Sequence, residues 1–361
     1  MHELENLLQT SKVAWLTADG ADSDVVLASR IRLARNLRQL PFPNRADLAQ
    51  LQTAEETLAA AMPAVEETLG EKMTRVALEN ISGLQREVLR DKQLISENLL
   101  KNPQHRTVYS DASQNVGIMV NEDDHIRIQC LTAGLNLEKP LKMAFAVDDA
   151  LEGQLDIAFD EKMGYLTSCP TNLGTGLRAS VLLHLPGLVF TRNVGSIINI
   201  SPQLGLAVRP LFGDEKEQPG CLFQIANQLT LGYSEQELID NLRGAVTEIV
   251  AHERRARKAL ALYMKERLED EVWRAVGTLS YARLLSEKEV LELASRLRLG
   301  IDLKLIRGIN PACYGELLIS GRSTFLQNLA ENENLTQTEI DRLRAQHVRK
   351  ILEGHRVRLE E

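Results

Sequence analysis

The stretch TSCPTNLGTGLRAS, residues 167–180, combines a cysteine and a proline with two glycines and an arginine. A glycine-rich phosphate-binding loop of the P-loop type ends in lysine followed by serine or threonine, and this stretch lacks that ending. Paired glycines are commonly no more than turns, so the stretch alone does not define a site. Its arginine, Arg178, directs attention to the other arginines of the chain.

Residues 24–36, DVVLASRIRLARN, alternate with a period of two. On a strand, this pattern places Arg30 and Arg32 on one face and Ile31 and Leu33 on the other. The segment therefore predicts a strand that is apolar on one side and carries two neighbouring cations on the other.

Residues 115–131, NVGIMVNEDDHIRIQCL, predict two strands around an acidic turn. In the second of these strands His125, Arg127 and Gln129 share a face, so a second strand carries an arginine opposite its apolar side. Further strands are predicted at 195–209 and 221–231, a helix at 45–62, and a helix followed by a polar loop at 84–96.

From Ser234 onward the pattern becomes helical. SEQEL offers Ser234 as N-cap and Glu237 three residues later, which is a capping box. The first 230 residues therefore indicate a mixed domain with antiparallel hairpins, and residues beyond about 260 indicate a small helical domain. The same capping pattern recurs at Ser286 with Glu289 and at Thr336 with Glu339.

Composition excludes several classes of protein. The formal net charge of −8 argues against a general nucleic-acid binder, which normally presents a basic surface. No apolar run reaches the roughly 18 residues of a membrane span, and the start MHELENLLQT has no secretory-signal pattern. The four cysteines are far apart, which fits neither a CxxC metal site nor a dense disulfide framework. We expect a cytoplasmic protein that binds neither membrane nor nucleic acid directly.

Four segments together resemble the catalytic domain of the phosphagen kinases, the ATP:guanido phosphotransferases. The cysteine-containing loop matches that family's signature loop, while RDKQLIS at 90–96 and the helical C-terminal part look like the protein arginine kinases of the McsB type. The four segments are SRIR at 29–32, NEDDHIR at 121–127, SCPTNLGTGLRAS at 168–180 and LAVRPLFGDE at 206–215.

This resemblance implies an α+β fold in which an antiparallel-sheet, glutamine-synthetase-like catalytic domain precedes a small helical domain. The implied parts are an N-terminal extension over 1–25, a catalytic domain over 26–256 and a helical regulatory and dimerisation domain over 257–361. The implied activity is ATP-dependent phosphorylation of arginine side chains in proteins, with magnesium held through ATP and no protein-bound metal. Implied partners are a zinc-binding activator protein, the Clp protease system of protein quality control and a second copy of the chain.

The resemblance also implies the nucleotide site. A nucleoside triphosphate bears about four negative charges, and arginine presents a planar, permanently charged donor fork to phosphate oxygens. The implied ATP-binding residues are Ser29, Arg30, Ile31, Arg32, Leu33, Arg127, Arg178, Ala179, Ser180, Val181, Leu182, Arg209, Pro210, Leu211, Phe212, Gly213 and Asp214.

The nucleophile in such a reaction is a guanidinium nitrogen, which is cationic at neutral pH and must be aligned and deprotonated. By the family match Asp123 and Asp214 do this, although the family carries glutamate at both positions. Cys169 matches the family's loop cysteine, where nearby arginines favour a thiolate that contacts the substrate guanidinium. Glu122 and Glu215 adjoin the two aspartates but would face the opposite way on a regular strand.

The two shorter carboxylates leave a second hypothesis open, a catalytically weakened homologue that binds ATP or phosphoarginine as a regulatory adaptor. A kinase for free small guanidino compounds is a third hypothesis. It is disfavoured because residues 1–25 leave no room for the helical domain that encloses such substrates in creatine and arginine kinases.

Near the C-terminus, IDRLRA at 340–345 matches the Arg-Asp-x-x-Arg-Ala motif of the McsB-type family. In that family the motif forms part of a regulatory phosphoarginine pocket, so the resemblance assigns Asp341, Arg344 and Ala345 to such a pocket. Ile340 replaces the first arginine, which weakens phosphate recognition. An ordinary amphipathic helix with exposed charges is the alternative.

Overall fold

The computed structural model of the chain describes residues 2–213 and 217–356. Within these ranges the strands are β1 Val26–Arg35, β2 Thr74–Ala77, β3 Thr107–Ser110, β4 Val116–Val120, β5 Ile126–Ala133, β6 Phe159–Asp160, β7 Gly164–Tyr165, β8 Leu177–His184, β9 Leu206–Pro210 and β10 Leu222–Asn227. Eight of them form one antiparallel sheet in the order β2-β3-β4-β5-β1-β8-β10-β9, and β6 pairs with β7 as a separate hairpin.

Helices cover the sheet and make up the C-terminal part of the chain. Over the described ranges they are α1 His2–Gln9, α2 Leu48–Leu69, α3 Gly83–Asp91, α4 Asn98–Lys101, α5 Glu138–Glu152, α6 Pro186–Phe190, α7 Val194–Ile200, α8 Glu235–Tyr263, α9 Lys265–Tyr281, α10 Glu287–Asp302, α11 Cys313–Ser320, α12 Ser323–Leu329 and α13 Gln337–Gly354. Among the helices of the described ranges, none is long and apolar enough to cross a membrane.

The central strand β1 shows why the sheet has two different faces. Ile31 and Leu33 are fully buried in a core shared with α2, α5 and α8, as their alternation with arginine predicts. Burying one apolar face of each strand beneath amphipathic helices removes that face from water and is the main stabilising contribution. The opposite face carries Arg30 and Arg32 and remains partly open.

The predicted strand at 195–209 is wrong for most of its length. Val194–Ile200 is the helix α7, a short 3₁₀ turn follows at Ser201–Leu204, and only Leu206–Pro210 is a strand. Val194, Ile197 and Ile198 all contribute to the core, and this is the spacing of one helix face. The β-branched residues of the segment suggested a strand, and packing on the helical spacing overrode that local preference.

The predicted capping boxes are confirmed at all three helix starts. Ser234, Ser286 and Thr336 each accept from the backbone N–H three residues later, and the glutamate there accepts from the capping residue's own backbone N–H. The predicted helix at 45–62 is longer than expected, because α2 continues through Pro63 to Leu69.

Helix α8 runs without interruption from the sheet domain into the C-terminal helices, across the predicted border at residues 256 and 257. Arg257 lies at this border and is almost fully buried. It donates to Glu253 at 2.6 Å and to Asp302 of α10 at 3.2 Å, so the two parts of the chain are joined by a buried ion-pair network.

The N-terminal segment belongs to a second core, which it shares with the C-terminal helices. Trp15 and Leu16 are buried there beside α11 and α13, and Lys92 donates from its ammonium to the Leu7 carbonyl. Arg254 of α8 pairs with Asp22 at 2.8 Å. The predicted extension therefore packs against the segment after α3, against α8 and against the C-terminal helices.

Candidate active site

Arginines from neighbouring strands gather on the polar face of the sheet. Arg32 on β1 is paired with Arg178 on β8 and, on its other side, with Gln129 on β5. Arg30 lies two residues before Arg32 on β1, so its side chain is on the same face. Arg127 precedes Gln129 on the same face of β5, so four guanidinium groups converge where β5, β1 and β8 lie side by side.

A fifth arginine extends this group toward the edge of the sheet. Arg209 on β9 is exposed and lies opposite Gln224 of β10, which is itself opposite Leu182 of β8. Its charge reaches the group, because Arg209 and Arg127 both contribute to lowering the pKa of Arg178, after burial as the main cause.

The group is short of negative charge. Burial, followed by the charges of Arg127 and Arg178, lowers the pKa of Arg30 to about 10. The same causes place the pKa of Arg32 well below its ordinary value. In addition, the shielded Nε atoms of Arg32 and Arg178 find no hydrogen-bond acceptor among the described residues. Buried donors without acceptors are costly, so this face is built to receive a polyanion.

Only part of the positive charge is compensated by the protein. Glu122 accepts from Arg127 at 2.5 Å, and Arg30 donates to the neutral oxygens of Ser180 and Gln93 at 3.3 and 3.0 Å. Charge-assisted bonds to phosphate oxygens would satisfy the remaining donors. The donor set and the orphaned Nε atoms therefore fit a nucleoside polyphosphate.

An apolar cavity adjoins the arginines and completes a nucleotide-shaped cleft. Its volume is about 290 Å³, and Arg30 lies at its boundary with a more polar cavity lined by Arg32, Arg127 and Gln129. Phosphates at the arginines would leave a base and ribose in the apolar end. Its walls come from Trp15, Leu16, Ala28, Arg30, Arg90, Asp91, Gln93, Glu97, Leu131, Ser180, Leu182, Leu211, Phe212, Gln224, Leu318, Ile319 and Arg322.

The acidic turn before β5 is fixed to the cysteine-containing loop. Asp124 is buried and accepts from Asn36 at 2.6 Å and from the Ser168 backbone N–H at 2.7 Å. The Ser168 hydroxyl donates to the Asp123 carbonyl at 2.7 Å. These bonds place the Asp123 carboxylate and Cys169 at the same end of the arginine group.

Asp123 is the carboxylate of this turn that faces outward. Its side chain is 44% exposed and accepts from Asn98 at 2.9 Å, and the nearest contact between Asp123 and Arg127 is 4.0 Å. Burial and the neighbouring Glu122 raise the pKa of Asp123. Glu122 is buried against Arg127, so it does not replace Asp123 as a group that could meet a substrate.

The two glycines of the loop serve close backbone packing. A Cβ at Gly176 would lie 2.7 Å from the Ala34 carbonyl, and Gly176 has a φ of 65°. A Cβ at Gly174 would lie 3.0 Å from the Leu231 Cα, and its φ is 106°. The glycines therefore let the loop enter β8 beside β1, and Arg178 reaches the anion from the strand that follows.

Cys169 lies half-buried near the start of this loop. Its Sγ is 3.0 Å from the Thr171 hydroxyl, and the Thr167 hydroxyl donates to the Cys169 carbonyl at 2.9 Å. These bonds fix the loop around the thiol and keep it at the surface of the cleft.

The structure does not bring every predicted residue to the polar face. Pro210 is on β9 beside Phe223, whose side chain is in the opposite core, and Gly213 is exposed beyond the cavity. Asp214 and Glu215 lie outside the described residues. The side chains of Ser29, Ile31, Leu33, Ala179 and Val181 are buried away from the arginines, because alternate strand residues point to opposite faces.

Sequence reasoning missed several residues of the cleft. Gln93 has a φ of 61° and links the loop after α3 to the sheet, since its carbonyl accepts from Gln129 at 2.6 Å. Arg322 stacks over the Phe212 ring, with its guanidinium carbon 4.9 Å from the ring centre. Gln93 lies in the RDKQLIS segment but was assigned no role, whereas no local pattern marks Arg322, which reaches the cleft from the C-terminal helices.

The three residues assigned to the phosphoarginine pocket, which stays a prediction, lie in α13. Arg344 is fully buried and donates to the carbonyls of Gly321 and Leu285 and to the Ser323 hydroxyl, each at 2.7 Å. It also pairs with Asp341 at 2.5 Å, and Ala345 is buried beside it. All three nitrogens of this guanidinium have protein acceptors, so it joins helices instead of offering a free phosphate fork.

Comparison with protein families divides the chain where α8 ends. The ATP:guanido phosphotransferase C-terminal catalytic domain matches residues 54–256, and the protein-arginine kinase McsB C-terminal domain matches residues 265–360. The protein-arginine kinase of Desulforamulus reducens is 44% identical over 94% of this chain and 95% of its own length. That of Bacillus subtilis is 40% identical over 97% and 96%.

Solved structures share the fold at lower identity. The duplicated taurocyamine kinase from Schistosoma mansoni, with bound transition state analogue components, is 25% identical with a TM-score of 0.57. The match covers 68% of this chain and 35% of that one. A lombricine kinase is 23% identical with a TM-score of 0.54, and the match covers 68% of this chain and 69% of that one.

Proposed function

The chain belongs to the protein-arginine kinases of the ATP:guanido phosphotransferase family, and on this premise we propose that it transfers the terminal phosphoryl group of ATP to arginine side chains of proteins. The observation that carries the proposal is the group of under-compensated arginines on one sheet face, with Asp123 and Cys169 at its end. This arrangement offers a polyphosphate its counter-charge and offers a substrate guanidinium a carboxylate.

In the proposed reaction a guanidinium nitrogen attacks the γ-phosphorus, the bond from that phosphorus to its bridging oxygen breaks, and ADP leaves. The attacking nitrogen loses a proton, and Asp123 is positioned to take it. Burial makes Asp123 a stronger base, because it raises the pKa of the carboxyl group. Arg30, Arg32 and Arg178 are held in place by their strands and stabilise charge on the moving group without reorganising.

Magnesium, when bound, neutralises charge between the β- and γ-phosphates. Over residues 2–213 and 217–356 no cluster of three or more His, Cys, Asp or Glu side chains could hold a metal ion. Independently of this, we propose that magnesium binds through the nucleotide. Cys169 is proposed to contact the substrate guanidinium from the loop end of the cleft.

The cellular setting follows from family membership and is also a proposal. We expect the protein to act in the cytoplasm as a homodimer, with protein substrates that present an accessible arginine. A zinc-binding activator protein and Clp-type proteolysis are the further partners expected.

A second candidate function is that of a weakened homologue acting as a regulatory adaptor. One observation favours it: the short Asp123 side chain is already engaged by Asn98 at 2.9 Å, which holds the carboxylate near the protein. Displacing a catalytic group by about 1 Å lowers the reaction rate on the order of a hundredfold. An adaptor would bind ATP but form little product.

One experiment separates the two functions. The purified protein is incubated with Mg-ATP and an arginine-rich protein, and phosphoarginine is measured by mass spectrometry under neutral conditions, with Arg178→Ala as the inactive control. Product above this control supports the kinase, whereas ATP binding without product supports the adaptor. If side-chain reach limits the rate, Asp123→Glu combined with Asp214→Glu should increase product formation, and an unchanged or lower rate would show that the site is adapted to aspartate.

A further inference from the structure

Exposed apolar side chains lie on both sides of the loop that carries Cys169. On one side is the β6–β7 hairpin, and on the other is the segment between β10 and α8. These side chains are between 45% and 56% exposed, so two groups of large apolar side chains face solvent beside one loop. We call them the apolar collar: Phe159, Met163, Leu229, Leu231 and Tyr233.

Backbone contacts show that the collar is continuous with the loop. A Cβ at Gly164, next to Met163, would collide with the Gly174 carbonyl, and a Cβ at Gly174 would lie 3.0 Å from the Leu231 Cα. Tyr165 and Gly174 also exchange backbone hydrogen bonds at 2.8 and 3.4 Å. Glycine at these positions therefore brings the hairpin, the loop and the segment around Leu231 into direct contact.

Thr230 fixes the second side of the collar. Its hydroxyl lies 3.2 Å from the Thr171 carbonyl and 2.5 Å from the Leu173 carbonyl, and Thr171 contacts Cys169 through its own hydroxyl. Because Thr230 turns inward to the loop, Leu229 and Leu231 on either side of it remain exposed.

We propose that the apolar collar binds apolar side chains that flank the target arginine in an extended polypeptide. The proposal rests on the proposed function, since it names the class of protein substrate that this same site accepts. The occupant is therefore a protein segment in which an accessible arginine has large apolar residues close to it in sequence.

The position of the collar determines its occupant. We place the arginine of a bound polypeptide in the cleft beside Cys169. On either side of this arginine the chain then runs over the hairpin or over the segment around Leu231. An extended chain rises about 3.3 Å per residue, so residues two to four positions from the arginine lie about 7–13 Å away along the chain. The two flanks of the loop are where such residues pass. A free guanidino compound has no chain to place there.

The test uses two peptides that differ only in their flanks. Each has a single arginine, with leucine in one peptide and serine in the other at positions two and three residues to either side. The full-length protein with Mg-ATP is expected to phosphorylate the leucine peptide with a kcat/KM about tenfold higher, a preference within the range that apolar contacts supply. The triple variant Leu229→Ser, Leu231→Ser and Tyr233→Ser should reduce this preference to within about twofold while keeping the rate on the serine peptide.

Two further variants keep the test decisive. Leu262→Ser with Tyr263→Ser changes side chains that are 70% and 80% exposed at the end of α8, and this control should retain the preference. Phe159→Ser with Met163→Ser alters the other side of the collar independently and should also reduce it. Equal rates of the wild type on both peptides, or a full preference in both collar variants, would overturn the proposal. No phosphoarginine from the wild type on either peptide would overturn the proposed function and the collar with it.

Discussion

Replacing Arg30 by methionine should make the nucleotide-free protein more stable while weakening nucleotide binding. The pKa of Arg30 is about 10 instead of 12.5, mainly because the guanidinium is buried and secondly because Arg127 and Arg178 repel it. At 1.36 kcal/mol per pKa unit, this depression corresponds to about 3 kcal/mol by which the folded state disfavours the charge. At pH 7 the group is charged in both the folded and unfolded states, so the cost is present in full. It is relieved only as the pH rises above about 10.

Methionine removes the charge and keeps most of the side-chain volume, but it also removes two hydrogen bonds. These are the bonds to Ser180 and Gln93 at 3.3 and 3.0 Å, each contributing about 1 kcal/mol. Both acceptors line the cleft, where water can replace the lost donor. The net expectation for Arg30→Met is a gain of about 1–2 kcal/mol, or an increase in Tm of about 1–3 °C.

The assay is thermal unfolding in a buffer free of phosphate and sulfate, with and without Mg-ATP. Wild type should gain about 3 kcal/mol at 100 times its Kd, and the variant should show little of this shift at the same concentration. Arg274→Met is the control, because Arg274 is exposed, pairs only loosely with Asp270 at 4.0 Å and should change stability by less than about 1 kcal/mol. A lower Tm for nucleotide-free Arg30→Met would refute the reasoning that the arginines are strained without an anion.

Three further predictions follow from other buried or reactive groups. Arg344→Met should lower the free energy of unfolding by about 3 kcal/mol or more, measured by urea denaturation, because it strands buried acceptors; unchanged stability would contradict its structural role. Burial lowers the pKa of Lys92 to about 7. Between pH 7 and 10.5 the unfolded state therefore binds the proton more strongly than the folded state, and the free energy of unfolding rises with pH. Lys92→Met should therefore raise Tm at pH 7 and flatten the Tm increase between pH 7 and 9 relative to wild type, and an identical pH profile would exclude this titration. Asp123→Asn should lower kcat at least about a hundredfold with little change in the KM for ATP, and a change confined to that KM would assign Asp123 to nucleotide binding.

The parts of the fold that follow strict local rules could be predicted from the sequence. The alternation around Arg32 has a period of two, so it determines which side chains share a face wherever the strand lies in the sheet. The capping box at Ser234 is equally local, because its hydrogen bonds span three residues. Both predictions hold because no distant contact is needed to form them.

The failures occur where tertiary contacts decide. The segment at 195–209 has strand-like residues, and only the core beneath it shows that Val194 and Ile197 pack with helical spacing. The motif around Arg344 likewise does not show that its guanidinium donates to the carbonyls of Gly321 and Leu285, which are 23 and 59 residues away. A motif specifies which residue types are present, and the packing of other helices decides which donors stay free.

The same distinction applies to the cleft, because its arginines and Phe212 were predicted from the sequence and Trp15 and Arg322 were not. The charged end of the cleft is formed by the strand register, which brings Arg32 beside Arg178. The alternation of arginine with apolar residues along these strands can be read in the sequence. The apolar end of the cleft is assembled from Trp15 near the N-terminus, Phe212 of the sheet domain and Arg322 of the C-terminal helices. Arg322 pairs with Glu287 of α10 at 2.7 Å and stacks on Phe212, so the helical part is built into the wall of the nucleotide site. Movement of the C-terminal helices would therefore change the apolar end of the cleft while the sheet holds the phosphate end fixed.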